Sequence, residues 1–127
     1  MNVALDTNAY SDFMRGDASR VQIVRAARRL HLPLMVLGEL RAGFAAGTRG
    51  AVNAANLQRF LDSPRVSVLL PDEQTTHHYA QLYVQLRRKG LAIPINDLWI
   101  AALVAQHHLV LCTSDAHFQH LPQLPRC

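Results

Sequence analysis

The sequence predicts an α/β fold built around a central parallel sheet of four to five strands. Short apolar runs of strand length recur along the chain, and they alternate with longer segments whose apolar residues have helical spacing. Strands that alternate with helices are joined most simply by right-handed crossovers, which make neighbouring strands parallel. Acidic residues follow several of the apolar runs, at the edge where open parallel sheets bind ligands.

The size and composition of the chain fit one compact domain. With 127 residues, we expect a single domain spanning residues 1–127. Half of the residues are hydrophobic and 17% are charged, which excludes a disordered chain, and the net charge of +4 permits a polyanionic partner. The most apolar stretch, Leu98–Ala105, is too short to span a bilayer, and the N-terminus lacks the features of a signal peptide. We therefore expect a soluble, cytoplasmic protein with no membrane partner.

Two strands are predicted in the first third of the chain. Val3–Leu5 is a short apolar run that predicts a buried strand. Tyr10–Arg15 and Ser19–Leu30 have the pattern of helices. Leu32–Leu37 is an uninterrupted apolar run, as expected of a parallel strand that is covered on both faces. Glu39–Phe44 then begins another helix.

The rest of the chain continues the alternation. Three glycines between residues 43 and 50 predict a loop that breaks the helix begun at Glu39. At the C-terminus, Leu121–Cys127 contains two prolines and has room for only a stub of a fifth strand. Between these segments we predict helices and strands at Ala51–Leu61 (helix), Val66–Leu70 (strand), Asp72–Arg88 (helix), Asp97–His107 (helix, capped by Asn96), Leu109–Cys112 (strand) and Ala116–His120 (turn or short helix).

Four of the nine acidic residues lie where this fold brings them to one edge of the sheet. Asp6, Glu39 and Asp115 each follow an apolar run, and Asp97 begins a predicted helix that returns to the same edge. Each acid alone has a structural explanation as a helix cap or turn residue, but four together favour one site. A hard divalent cation such as Mg²⁺ or Mn²⁺ is the usual reason to hold carboxylates together, so the pattern predicts metal-dependent phosphoryl chemistry.

Four motifs carry a resemblance to a known family. They are Asp6-Thr7-Asn8, Glu39-Leu40-Arg41, Asn96-Asp97 and Thr113-Ser114-Asp115-Ala116-His117-Phe118. In this order and at these spacings, the motifs resemble those of PIN-domain ribonucleases, and most closely those of the VapC-type toxins of bacterial toxin–antitoxin pairs. The resemblance extends from Met1 to about Leu124. It implies a three-layer α/β/α PIN-like domain.

The resemblance also implies an activity and the residues that carry it. The expected enzyme is a Mg²⁺-dependent endoribonuclease, with Mn²⁺ as a substitute cation, that cleaves RNA phosphodiester bonds by metal-activated water. Four acids are implied to be catalytic: Asp6, Glu39, Asp97 and Asp115. Three of them are implied to bind the metal: Asp6, Asp97 and Asp115. Polar side chains that would orient the carboxylates through hydrogen bonds are Thr7, Asn8 and Ser114.

Partners are implied in the same way. A VapC-type toxin has an RNA substrate and a small VapB-like antitoxin, and it forms a homodimer. Arg41 lies close to Glu39 in sequence, so it is a candidate contact for an RNA phosphate. Exposed apolar residues of the helices near Phe13, Val21 and Leu57 are candidate dimer contacts.

Parts of this residue pattern also occur in other classes of protein. Receiver domains and haloacid-type phosphatases also have acids at strand ends, but they need a lysine late in the chain, and the only lysine, Lys89, ends a helix away from the acidic edge. The histidines lack the spacing of zinc sites and are expected at the surface or at helix ends. A PIN-fold RNA-processing nuclease outside any toxin system, and a catalytically inactive RNA- or protein-binding module, remain open.

Overall fold

One parallel sheet organises the protein, and the computed structural model describes all residues 1–127. Its strand order is β3-β2-β1-β4. The strands are β1 (Asn2–Leu5), β2 (Arg29–Pro33), β3 (Val66–Leu69) and β4 (Val110–Cys112). Strand β1 is central, because it pairs in parallel with β2 on one side and with β4 on the other. The sequence-predicted α/β class with its parallel sheet is confirmed.

Six helices flank the sheet and share one hydrophobic core with it. A single cluster of 28 buried residues joins strands and helices. No helix combines the length and the apolar character that crossing a bilayer requires. The helices are α1 (Thr7–Met14), α2 (Ala18–Ala26), α3 (Leu34–Ala46), α4 (Gly50–Leu61), α5 (Glu73–Arg88) and α6 (Ile95–His107), and a 3₁₀ helix follows β4 at Ala116–His120.

The C-terminal residues add the predicted stub of a fifth strand beside β4. The backbone N–H of Leu111 donates to the carbonyl of Pro125 at 2.8 Å, and the N–H of Cys127 donates back to the carbonyl of Leu111 at 2.9 Å. The resulting bridge between Leu111 and Arg126 is parallel, like every other pairing in the sheet. The stub therefore covers the open edge of β4.

The second strand differs from the prediction. It spans Arg29–Pro33 rather than Leu32–Leu37, and the preceding helix ends at Ala26 instead of Leu30. The residues after Pro33 form the first turn of α3, in which Val36 and Leu40 are buried one turn apart. A short apolar run does not by itself distinguish a buried strand from a buried helix turn.

Two helix boundaries also differ from the prediction. Helix α3 runs through Gly43 to Ala46, because a glycine inside a helix costs only about 1 kcal/mol and packing of the helix outweighs it. The break is confined to the residues between Ala46 and Gly50. Helix α6 begins at Ile95 after Pro94, so Asn96 does not cap it. Proline suits the start of a helix because no N–H of its own is left unpaired.

The three residues that mark the candidate dimer contacts differ in exposure. Leu57 is completely buried in the core, so a contact near it would involve exposed neighbours on α4 and not Leu57 itself. Phe13 is half-buried and packs against Phe60, with 5.8 Å between the ring centres. Val21 is half-buried.

Candidate active site

The acids that sequence analysis grouped line a cleft at the carboxyl edge of the sheet. The cleft has a volume of about 100 Å³ and contains a single hydrophobic residue, Ile100. Its polar lining is made by Asp6, Thr7, Asn8, Glu39, Asp97 and Asp115. Four carboxylates that lie as far apart in sequence as positions 6 and 115 thus meet in one place.

Asp6 is the most deeply placed of the four acids. It lies between β1 and α1 and is only 6% exposed. One carboxylate oxygen caps α1 by accepting the backbone N–H of Ala9 at 2.8 Å, and the other accepts the hydroxyl of Thr113. Burial raises the pKa of Asp6, although the hydrogen bonds from Thr113 and Ala9 oppose that rise. Asp6 is therefore held in one orientation with a carboxylate that is poorly solvated.

Thr113 is a functional residue that sequence analysis did not single out. Its hydroxyl donates to Asp6 and also accepts the backbone N–H of Asp115 at 2.9 Å. This one hydroxyl links the end of β1 to the loop that follows β4. The signal was present in the sequence, because a threonine two residues before an aspartate is a common turn-forming pattern.

Glu39 reaches the cleft from the second turn of α3, and not from the end of a strand as predicted. Helix α3 starts at the carboxyl end of β2, so its first turns lie over the same edge of the sheet. Partial desolvation raises the pKa of Glu39, and the nearby carboxylates of Asp97 and Asp6 raise it further. The electrostatic coupling places Glu39 with the other acids.

Asp97, Asp115 and His117 form the tightest group of metal-ligating side chains. The candidate ligand atoms of the three lie within 4.8 Å of one another. The Nδ1 atom of His117 is 2.9 Å from Oδ2 of Asp97 and 3.0 Å from Oδ1 of Asp115. Burial raises the pKa of Asp97 against the hydrogen bond from His117, and that same bond raises the pKa of His117. His117 lies at a helix end and is half-exposed, as predicted, but its contacts with the two acids were not predicted.

Ser114, predicted to orient a carboxylate, and Arg41, predicted to contact an RNA phosphate, do not line the cleft. The hydroxyl of Ser114 accepts a hydrogen bond from the guanidinium of Arg20 at 2.5 Å. Arg20, a buried cation, also donates to the sulfur of Cys112 at 3.0 Å and to the carbonyl of Cys127 at 3.3 Å. Nothing in the sequence distinguishes Arg20 from the other arginines.

Arg41 is exposed and lines a separate shallow depression with Phe44 and other residues.

Thr7 and Asn8 do line the cleft. The hydroxyl oxygen of Thr7 is buried without a well-formed hydrogen bond, but it lies close enough to the carboxyl of Glu39 to lower the pKa of that acid. Asn8 is exposed at the mouth of the cleft.

Comparison with known proteins assigns the family. The sequence model of the PIN domain matches residues 3–124. The chain belongs to the PIN-domain family. Ribonuclease VapC4 of Mycobacterium tuberculosis is 30% identical over 98% of this chain and 96% of its own length. Ribonuclease VapC1 of Haemophilus influenzae is 32% identical, over 94% of this chain and 92% of its own length.

Solved structures give the same assignment. The VapBC2 structure from Rickettsia felis, bound to a DNA fragment from its promoter, contains a chain that matches this PIN domain with a TM-score of 0.86 and 25% identity. The match covers all of this chain and 98% of that one. The VapBC-1 structure from nontypeable Haemophilus influenzae matches with a TM-score of 0.86 and 27% identity, over all of this chain and 97% of the other. The predicted resemblance to VapC-type PIN domains is confirmed.

The donor atoms of this PIN cleft suit a divalent cation. Carboxylate oxygens dominate, and small hard cations prefer such ligands. The buried hydroxyl of Thr7 adds a polar group beside these carboxylates. The raised pKa values of Asp6, Glu39 and Asp97 show that the cluster holds negative charge at a cost, which a bound cation would remove.

Proposed function

We propose that this PIN domain, residues 1–127, is a Mg²⁺-dependent endoribonuclease that acts as the toxin of a toxin–antitoxin pair. The observation that supports the proposal most directly is the meeting of Asp6, Glu39, Asp97 and Asp115 in one cleft. The related proteins are named ribonucleases, and the similar structures are VapBC complexes. Mn²⁺ is the expected substitute cation, since the same oxygen ligands suit it.

Each carboxylate has a role in this proposal. Asp97, Asp115 and Asp6 hold the cation, and Thr113 fixes Asp6 and the backbone of Asp115 relative to each other. A cation bound there would polarise a phosphoryl oxygen and lower the pKa of water for attack on phosphorus. Glu39 is the most exposed of the four acids, and its raised pKa suits a group that accepts the proton of the attacking water. Thr7 and Asn8 orient the ligands from the wall of the cleft.

The partners follow from the charge of the protein and from its relatives. The acidic cleft sits in a chain of net charge +4, which favours an approaching polyanion outside the cleft and a cationic group inside it. A small VapB-like antitoxin would block the cleft by inserting an arginine or lysine side chain beside Asp6 and Asp97. We also propose that the protein forms a homodimer. We further propose that it acts in the cytoplasm, where it would meet its RNA substrate. Arg41 stays a proposed phosphate contact at the border of the site.

A cleavage assay tests the metal and the acids together. The purified protein should cut structured RNA in Mg²⁺ or Mn²⁺ and lose that activity in EDTA. Asp97→Asn and Asp6→Asn should abolish cleavage. Asp62→Asn should leave it unchanged, because Asp62 is an exposed acid outside the cleft whose side chain accepts a hydrogen bond from Gln58. Undiminished cleavage by either cleft variant, with the fold intact by circular dichroism, would remove the metal-site assignment.

A growth assay separates the toxin from a nuclease with a processing role. Expression of the wild-type protein should arrest growth, and Asp97→Asn should relieve the arrest. Normal growth under expression of an active wild-type enzyme would favour RNA processing outside a toxin system. An inactive binding module is disfavoured because all four carboxylates are present and meet in the cleft.

A further inference from the structure

His117 lies among the acids of the cleft but has no role in the proposed mechanism. Its Nδ1 atom lies between two carboxylate oxygens, 2.9 Å from Asp97 and 3.0 Å from Asp115. The ring is carried by the first turn of the 3₁₀ helix, whose start is fixed because Oδ1 of Asp115 accepts the backbone N–H of His117 at 2.9 Å. Burial of Phe118 anchors that turn in the core. The position of the imidazole is thus fixed by Asp115 before it and by the buried ring of Phe118 after it.

The separations of Nδ1 from the two carboxylates match those of neighbouring ligand atoms in a coordination sphere. A small cation with metal–ligand distances of about 2.0–2.1 Å in octahedral geometry keeps neighbouring ligand atoms about 2.9 Å apart. Nδ1 has this separation from both carboxylates. In the metal-free protein, a proton on Nδ1 fills the gap between the two oxygens. A cation can take the place of that proton if the proton moves to Nε2.

The exposure of the ring permits that exchange. The side chain of His117 is 45% exposed, whereas those of Asp97 and Asp115 are 17% and 29% exposed. A proton on Nε2 can therefore be solvated by water, and the tautomer needed for ligation through Nδ1 leaves no buried donor unpaired. The partly buried carboxylates remain available on the inner side of the cleft.

We propose that His117 is a ligand, through Nδ1, of the divalent cation in this cleft, and that this nitrogen raises the affinity of the site for Mn²⁺ relative to its affinity for Mg²⁺. The inference rests on the proposed metal site but goes beyond an all-carboxylate one. Mg²⁺ demands hard oxygen ligands, whereas imidazole is a borderline ligand that binds transition metals better. One imidazole among carboxylates therefore changes the choice of ion without changing the charge of the site.

Pulsed electron paramagnetic resonance gives a direct test, because Mn²⁺ is paramagnetic. The full-length protein loaded with Mn²⁺ should show electron spin echo modulation from a directly bound ¹⁴N nucleus. His117→Ala should lose that modulation while still binding Mn²⁺ through the carboxylates. His120→Ala is the matched control, because it removes an exposed histidine from the same 3₁₀ helix and should leave the modulation unchanged.

Calorimetric titration supplies the second measurement. His117→Ala should weaken Mn²⁺ binding by at least about tenfold and Mg²⁺ binding by a smaller factor. An equal loss for both ions would mean that His117 acts only through its hydrogen bonds to Asp97 and Asp115, and the proposed preference would be wrong. His117→Gln, which keeps a polar side chain of similar size, should follow His117→Ala in both measurements if loss of the imidazole is the cause.

The outcomes also separate this inference from the proposed function. Mn²⁺ bound with no ¹⁴N modulation in the wild type would overturn ligation by His117 and leave the nuclease assignment standing. Modulation that persisted in His117→Ala would assign the nitrogen to another residue and equally overturn the inference. Failure of Mn²⁺ to bind at all would instead count against the metal site on which the proposed function rests.

Discussion

Replacing Asp97 by asparagine should stabilise the metal-free protein. Asp97 and Asp115 offer carboxylate oxygens within 4.8 Å of each other, and both side chains are less than one-third exposed. Two full charges at that distance repel by about 3.5 kcal/mol at an effective dielectric constant of about 20. Asp97→Asn removes this repulsion and keeps the shape of the side chain. After allowance for screening by water, we expect a gain of about 1–2 kcal/mol in the free energy of unfolding.

The dependence of this gain on pH has a defined sign. Burial raises the pKa of Asp97 in the folded protein, so the folded state binds a proton more readily than the unfolded chain. Wild-type stability should therefore fall as pH rises from the ordinary carboxyl pKa through the raised folded value. His117 has a raised pKa too, and its protonated ring shields the carboxylates until pH passes that value. The advantage of Asp97→Asn should thus be smallest near pH ~4 and larger at pH ~9 than at neutrality.

Thermal melting in EDTA measures the effect. Asp97→Asn should melt about 3–8 °C above the wild type at alkaline pH, and Asp62→Asn should stay within about 0.5 kcal/mol of it. At neutral pH, Mn²⁺ should raise the wild-type midpoint because the ion binds the folded cleft and not the unfolded chain, and it should raise that of Asp97→Asn less. Equal midpoints for wild type and Asp97→Asn in EDTA, unmoved by millimolar Mn²⁺, would show that the acids do not share a site.

Three more predictions follow from individual contacts. Thr113→Val removes the hydroxyl that contacts Asp6 and Asp115, so the metal affinity measured by calorimetry should fall by about 10–100-fold. Ser114→Ala should change the metal affinity little, and equal losses in the two variants would contradict the role of Thr113. Phe118→Ala should lower the free energy of unfolding in urea by about 3–5 kcal/mol because the ring is fully buried, and a loss below 1 kcal/mol would rule out its anchoring role. Charge reversal of the antitoxin's inserted side chain should weaken binding most at low salt, and inhibition that ignored both that residue and ionic strength would refute the insertion.

Sequence reasoning located the site better than it located the elements that carry it. The positions of Asp6, Asp97 and Asp115 could be predicted from short apolar runs and one topology rule, since parallel strands end at one edge of the sheet. Glu39 reached the same edge although its strand was misplaced, because the helix after a strand starts where the strand ends. The apolar run before Glu39 has no periodicity that distinguishes a buried strand from a buried helix turn.

The residues that sequence reasoning missed act through contacts between distant segments. Arg20 and Ser114 are 94 positions apart, and His117 and Asp97 are 20 apart. No local pattern encodes such pairs, since each member alone is an ordinary helix or loop residue. The complete burial of Leu57 was not predicted either, because helical spacing indicates one buried face but not how much of that face the neighbouring helices cover.

The way in which the cleft is assembled bears on how a cell can synthesise this protein. Asp115 follows Asp6 by 109 residues, and β4, which leads to Asp115, is among the last elements in the chain to pair with the central strand β1. A ribosome therefore releases Asp6 and Glu39 long before Asp97 and Asp115 emerge. Until β4 docks, the cleft lacks the carboxylate of Asp115 and the hydroxyl of Thr113. We expect the growing polypeptide to be harmless to the ribosome and message that produce it, which leaves time during translation for an antitoxin to reach the finished domain.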